Sequence, residues 1–243
     1  MAKKRISDVL IDVLANAGIE RIYGITGDSL NSVNDSLRRN GKIAFEHVRH
    51  EETAAFAAGA EAALTHKLTV CAGSSGPGNL HLINGLFDCH RNRVPVLAIA
   101  SHIPQSEVGL NYFQETHPEN LFKECSCFCE LVSNPKQMPE ILFRAMNAAI
   151  GNQDVAVIVL PGDVAVMEME IDELPVWNQP RLPHIVPQHD DIEEMAAHLE
   201  TGKRITLFCG AGCEGAHDEV VELAKRLQAP VVHAFRGKEW VEW

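Results

Sequence analysis

Three runs of this 243-residue chain, "KLTVCAG" (67–73), "VPVLAIA" (94–100) and "VAVIVLP" (155–161), are apolar at nearly every position and rich in β-branched residues. A strand with one face in water alternates polar and apolar side chains, so continuous apolar runs belong to strands covered on both faces. Segments of helical periodicity separate them: "SLNSVNDSLRRN", an alanine-rich stretch from about residue 52, "NLHLINGLFDCH" and "PEILFRAMNAAI". Shorter runs, "RIYGIT", "KIAFEHV" and "FCELVS", read as further strands. Strands alternating with helices form βαβ units, which require a parallel sheet flanked by helices. The fold class that follows is α/β, a doubly wound, mostly parallel sheet with crossovers of one hand. Chemistry in such sheets sits on loops at the carboxyl ends of strands. "GITGDS", "HVRHEE" and "CAGSSGPG" are loops of that kind.

The first domain spans 1–165. Residues 166–188 read as a linker: from Pro161 onward the prolines at 175, 180, 183 and 187 replace any periodic apolar pattern. The α/β rhythm restarts over 189–243, with "DIEEMAAHLE", "RITLFC", "GAGCEG", "HDEVVELAKRLQ" and "PVVHAF". Two strands and two helices fall short of a Rossmann-like domain, so this segment reads as the truncated beginning of one. At the other end, "MAKKRISDVLIDVLANAG" places Ile6, Val9, Leu10, Val13 and Leu14 on one helical face, with Gly18 as the stop. Asp8 and Asp12 interrupt its apolar positions, so it reads as neither a signal peptide nor a membrane span.

A net charge of −12 argues against a nucleic-acid partner, which would need a basic face. The seven cysteines are odd in number and contain no C-x-x-C pair. "CSCFC" has no second cluster to complete a zinc site, so the thiols read as reduced packing residues of a cytoplasmic protein, and no metal ligand is assigned. "GAGCEG" matches G-x-G-x-x-G between a strand and a helix. The acid that a dinucleotide site wants near the end of the next strand is replaced by "HAFRG", which disfavours NAD; a plain tight turn and a turn approaching another nucleotide cofactor both stay open. "SSGPGNLH" has glycines for close backbone approach and a proline suited to a helix start, but lacks the Lys-Ser/Thr of an ATP-binding loop. His50 with Ser75 or Cys71 would sketch a nucleophilic site, but no G-x-S-x-G elbow accompanies them. "VRHEETAAFAAGAEAAL" poses a sharper question. Glu51 and Glu52 head a helix built of small residues, and either is tolerated in a first turn, where the unpaired N–H groups are positive.

"GITGDSLNSVNDSL", "VRHEETAAFAAGAEA", "VCAGSSGPGNLHLINGLFDCHRNRVPVLAIASHIP", "YFQETHPENLF", "VIVLPGDV" and "HAFRGKEWVEW" together resemble the thiamine-diphosphate-dependent pyruvate oxidases. The resemblance covers essentially the whole chain. It is closest to the bacterial pyruvate dehydrogenase (quinone) branch, within a group that includes acetolactate synthases and pyruvate decarboxylases. It implies that Glu51 hydrogen-bonds N1′ of the cofactor's aminopyrimidine from an apolar pocket that raises its pKa, and that Glu52 is an ordinary first-turn acid. It implies that Thr26, Gly27 and Asp28 lie near the pyrimidine. Gly76, Pro77, Gly78 and Asn79 would line the reaction side of the cofactor. Phe113 and Gln114 would face the thiazolium and the flavin. Gly210, Ala211 and Gly212, with Arg236, would belong to FAD-binding loops. The implied cofactors are thiamine diphosphate, FAD and Mg²⁺. The implied reaction takes pyruvate to acetate and CO2, with quinone as electron acceptor. The complete enzyme would be a homo-oligomer, at least a dimer, cytoplasmic and peripheral to the inner membrane. The Gly-Asp-Gly motif that holds Mg²⁺ and the diphosphate in that family does not occur in these 243 residues. The chain is therefore expected to hold half a cofactor site and to be inactive by itself. A non-catalytic association domain is the alternative outside enzymology.

Overall fold

Ile6, Val9, Leu10, Val13 and Leu14 form the buried face of a helix, as their spacing requires, and all are at most 1% exposed. In the computed structural model, which describes residues 2–242, this helix belongs to the following series. The elements run β1 (Ala2–Arg5), α1 (Ile6–Asn16), β2 (Arg21–Gly24), α2 (Asn31–Asn40), β3 (Ala44–His47), α3 (Glu51–Thr65), β4 (Thr69–Gly73) and α4 (Pro77–Asn92). They continue with β5 (Val96–His102), α5 (Pro118–Leu121), β6 (Phe128–Leu131), α6 (Met138–Asn152), β7 (Val155–Pro161), α7 (Gly162–Val166) and β8 (Glu168–Ile171). A second unit holds α8 (His189–Thr201), β9 (Leu207–Cys209), α9 (His217–Leu227), β10 (Val231–His233) and α10 (Lys238–Glu242). The two units divide between Leu182 and Pro183.

The first unit is built on a six-stranded sheet of order β3-β2-β4-β5-β7-β6, with every neighbouring pair parallel. Chain direction and helix placement together make it doubly wound. From β2 to β3 the chain steps one way across the sheet and α2 lies on one face. From β3 to β4 to β5 it steps the other way, and α3 and α4 lie on the opposite face. From β6 back to β7 the direction reverses again, and α6 rejoins α2 on the first face. A crossover that switches face whenever it switches direction keeps one hand throughout.

The three apolar runs are the central strands, and alternation decides what each face receives. Leu97, Ile99, Ala156, Ile158 and Leu160 point to α1, α2 and α6; Val96, Ala98, Ala100, Val155, Val157 and Val159 point to α3 and α4. The second face takes smaller residues because its helices come closer. Ala54, Ala55, Ala58 and Ala62 are the buried alanines of α3. Against them α4 sets Gly85, where a Cβ would lie 2.5 Å from Ala55 Cβ and 2.7 Å from the Glu52 carbonyl oxygen. A Cβ at Gly59 would likewise lie 2.6 Å from Cys89 Sγ.

Some of the stretch read as a linker is ordered against the first unit. β8 pairs antiparallel with β1, Lys3 opposite Glu170 and Arg5 opposite Glu168. Trp177 donates its indole N–H to Asn147 Oδ1 at 2.9 Å. β1 has no apolar periodicity to announce it, since its partner lies more than 160 residues away. Of the "CSCFC" thiols, Cys127 is exposed, whereas Cys125 is buried, and burial pushes its pKa up to about 11 and that of half-buried Cys129 to about 12. Both stay protonated near neutrality. In the second unit, β9, α9 and β10 make one parallel βαβ unit. Among its described residues only Cys209 and Gly237 are buried.

Two expectations about stability follow. In an open helix, Gly→Ala gains about 0.5–1 kcal/mol. Gly151→Ala, with nothing within 4 Å of the new Cβ, should show that gain as a raised urea midpoint. Gly85→Ala should instead lower the midpoint, by about 1–3 kcal/mol, because α3 and α4 must move apart. His102, at the end of β5, is 4% exposed, its Nδ1 has no hydrogen-bond partner, and burial lowers its pKa below the ordinary 6.5. The unfolded chain therefore binds this proton more readily, and stability is lost as pH falls through 6.5 and below. His102→Gln should lose less melting temperature than the parent between about pH 7 and about pH 5.

Candidate functional site

Four loops leave the carboxyl ends of β2, β3, β4 and β5, and hydrogen bonds tie three of them together. Ser29, after β2, shares a hydrogen bond with Ser74 Oγ at 2.8 Å and accepts the Ser75 backbone N–H at 2.9 Å. Ser101, in β5, donates to the Ser29 carbonyl at 2.5 Å and, through its own carbonyl, accepts from Asn79 Nδ2 at 2.8 Å. Ser75 Oγ donates to Gln114 Oε1 at 3.4 Å, which brings in the loop after β5.

The turn between β4 and α4 needs glycine for two separate reasons. Gly76 has φ +65°, where L side chains are strained, and a Cβ there would lie 2.7 Å from Gln114 Cβ. Pro77 then starts α4, where its missing N–H costs nothing. Gly78 is buried, and a Cβ on it would lie 3.3 Å from Glu51 Oε1. Asn79 is 0% exposed, and its Oδ1 has no hydrogen-bond partner.

α4 also sorts the two glutamates at the head of α3. Glu51 is 8% exposed, and its Oε2 lies 3.0 Å from His81 Nδ1. Glu52 reaches outward and accepts from Asn84 Nδ2 at 2.6 Å. His81 and Asn84 are three residues apart and so share one face of α4. Glu51 is thus the buried carboxylate beside the glycine turn, and its pocket is polar on one side, where the expected apolar surroundings would have had no histidine. His50 caps α3, its Nδ1 accepting from the Glu52 N–H at 3.3 Å, and its ring stacks on that of His81 at 4.2 Å and 25°. His50, Glu51 and His81 bring three possible ligand atoms within 4.8 Å of one another.

The structure therefore gathers Glu51, Gly76, Pro77, Gly78, Asn79 and Gln114 at one place. Gly27 joins them, because a Cβ there would overlap Ser74 Oγ. Thr26 and Asp28 flank it and are exposed. Phe113 is 80% exposed. Gly210, Ala211, Gly212 and Arg236 lie in the second unit, on loops after β9 and β10. There Gly237 is held against the Cys209 carbonyl, 2.5 Å from where its Cβ would be, whereas a Cβ at Gly210 or Gly212 meets nothing within 4 Å. His81 and three of the bridging serines, Ser29, Ser74 and Ser101, escaped the reading of the sequence. "SSGPGNLH" contains the signal for His81, one turn into a helix that opens on glycine, but its partner lies 30 residues earlier. A separate cavity of about 290 Å³ opens at the amino ends of β2 and β4, between Arg21, Glu61 and Trp177, at the far end of the strands from Glu51.

Residues 4–121 match the family described as "Thiamine pyrophosphate enzyme, N-terminal TPP binding domain", and residues 192–243 match "Thiamine pyrophosphate enzyme, central domain". An uncharacterized 42.6 kDa protein of Pseudomonas amyloderamosa is 58% identical over all of this chain, which spans 62% of that relative. A pyruvate oxidase of Lactiplantibacillus plantarum is 31% identical over 94% of the chain, and an acetolactate synthase of Arthrospira platensis is 32% identical over 98%. The chain spans 38% and 43% of those two. The likeness to an oxidase and to a synthase is equally strong. The chain belongs to the thiamine pyrophosphate enzymes, and carries their N-terminal TPP binding domain and, from residue 192, sequence of their central domain.

Proposed function

We propose that this chain supplies the pyrimidine-binding half of the active site, and part of the FAD domain, of an enzyme that oxidatively decarboxylates pyruvate to acetate and CO2 and passes electrons to quinone. The observation that carries the reading is the buried Glu51 carboxylate at the head of α3, with Oε1 against a glycine turn that leaves no side chain in front of it. The residues fit the cofactor's aminopyrimidine: a carboxylate to pair with a ring nitrogen, and space at Gly78 that a Cβ would fill.

Thiamine diphosphate, when bound, supplies the electron sink for decarboxylation of a 2-oxo acid. Glu51 would hold the proton shared with a ring nitrogen of the pyrimidine and so would set the tautomer of the ring. Gly76 and Gly78 let the backbone approach, and Pro77 and Asn79 hold the turn. Thr26, Gly27 and Asp28 border the pyrimidine side, and Phe113 and Gln114 the opening toward thiazolium and flavin. In the second unit, Gly210, Ala211, Gly212 and Arg236 would line the FAD. Mg²⁺ and the diphosphate would be held by the family's Gly-Asp-Gly motif, which these 243 residues lack, contributed by another subunit of an oligomer that is at least a dimer. The protein is cytoplasmic, at the inner membrane when it reduces quinone. The rival reading is an acetolactate synthase of the same family.

Three measurements test this. The complete polypeptide with FAD should reduce a soluble quinone when given pyruvate. Acetolactate formed without an acceptor would transfer it to the rival. Glu51→Gln should slow exchange of the cofactor's C2 proton by about 10²–10⁴-fold, the usual contribution of a positioned acid–base group; an unchanged exchange rate removes Glu51 from the role. Calorimetric titration of the 243-residue chain with thiamine diphosphate and Mg²⁺ should give no saturable heat. Binding at one site per chain would show that these residues hold the phosphates after all.

A further inference from the structure

Among the described residues, His81 is the side chain in hydrogen-bonding contact with the Glu51 carboxylate. An ionised carboxylate only accepts hydrogen bonds, so opposite ionised Glu51 the hydrogen sits on His81 Nδ1, 3.0 Å away. That selects one form of the ring. An unconstrained neutral imidazole prefers its hydrogen on Nε2, whereas this one is a donor through Nδ1. The ring has little freedom to turn away. Its face stacks on His50, which is held in place as the cap of α3 by the Glu52 N–H. Its backbone lies one turn into α4, which α3 grips through Gly85 and Ala55.

The two oxygens of Glu51 consequently have different neighbours. Oε2 accepts from His81; Oε1 faces Gly78, which has no side chain. Gly78 and His81 are three residues apart on α4, so the same helical face offers one open position and one donor, each opposite one oxygen. On the reading of Glu51 given above, we propose that His81 is a positioning residue: by donating Nδ1–H to Oε2 it fixes the carboxylate plane and leaves Oε1 as the oxygen presented to the cofactor's pyrimidine. His81 needs no contact with the cofactor for this. Its half-exposed side chain is compatible with a role exerted through Glu51.

The first test needs neither cofactor nor turnover. In the 243-residue chain at about pH 8.5, roughly two units above an ordinary histidine pKa, ¹⁵N resonances of His81 should report hydrogen on Nδ1 and a bare Nε2. In Glu51→Ala the hydrogen should move to Nε2. A bare Nδ1 in the parent chain would overturn the proposal, as would an Nδ1–H that persists in Glu51→Ala. The second test uses the complete enzyme. Asparagine places its amide N–H₂ near the position of Nδ1, and glutamine near that of Nε2. His81→Asn should keep the C2-proton exchange rate within a few-fold of the parent, whereas His81→Gln and His81→Ala should slow it by up to about 10²-fold, as expected for a misplaced catalytic group. Equal losses in all three variants would reduce His81 to a packing residue. If the complete enzyme shows no activity on pyruvate, the tautomer result still stands or falls by itself, so the two readings fail separately.

Discussion

The close approach of α3 and α4 is the constraint on which the site depends. Two glycines make it possible, Gly59 on α3 against Cys89 and Gly85 on α4 against Ala55. Four buried alanines keep α3 thin along the same surface. The first turn of α3 meets the middle of α4 at Gly85, and this brings Glu51 beside the start of α4 at Gly78. Wider helices would separate the carboxylate from the glycine turn and from His81 together.

The sheet beneath sets where those first turns begin. Every strand of the six points the same way, so all the loops that follow them open at one end. Face selection by alternation gives small residues to the side where α3 and α4 press in, and larger ones to the side of α1, α2 and α6. The loops are then tied by short polar side chains, not by apolar contacts. Ser29, Ser74, Ser75 and Ser101 satisfy one another and the neighbouring backbone. A loop region built this way can hold backbone close to a ligand without filling the space with side chains.

Much of the architecture was legible before any coordinates. The buried runs announced the central strands, and glycine and proline placed the turns. β1 and β8 were not legible, because neither has a periodic signal and their pairing joins opposite ends of the first unit. Within the site, Glu51 and the Gly76–Asn79 turn were marked by type and by resemblance. The choice between Glu51 and Glu52 is made by α4, which gives His81 to one and Asn84 to the other. No local property of two adjacent glutamates separates them.

The sequence by itself determined the α/β class, the order of the central elements, the covered strands and the family, because these depend on periodicity and on local runs of residue type. Tertiary structure alone decided which acid is buried, which imidazole meets it and which serines lock the loops. Those are contacts between residues some 30 to 70 positions apart, such as His81 with Glu51 and Ser101 with Ser29. They exist only once helices thin enough to touch bring separate turns to the same end of one parallel sheet.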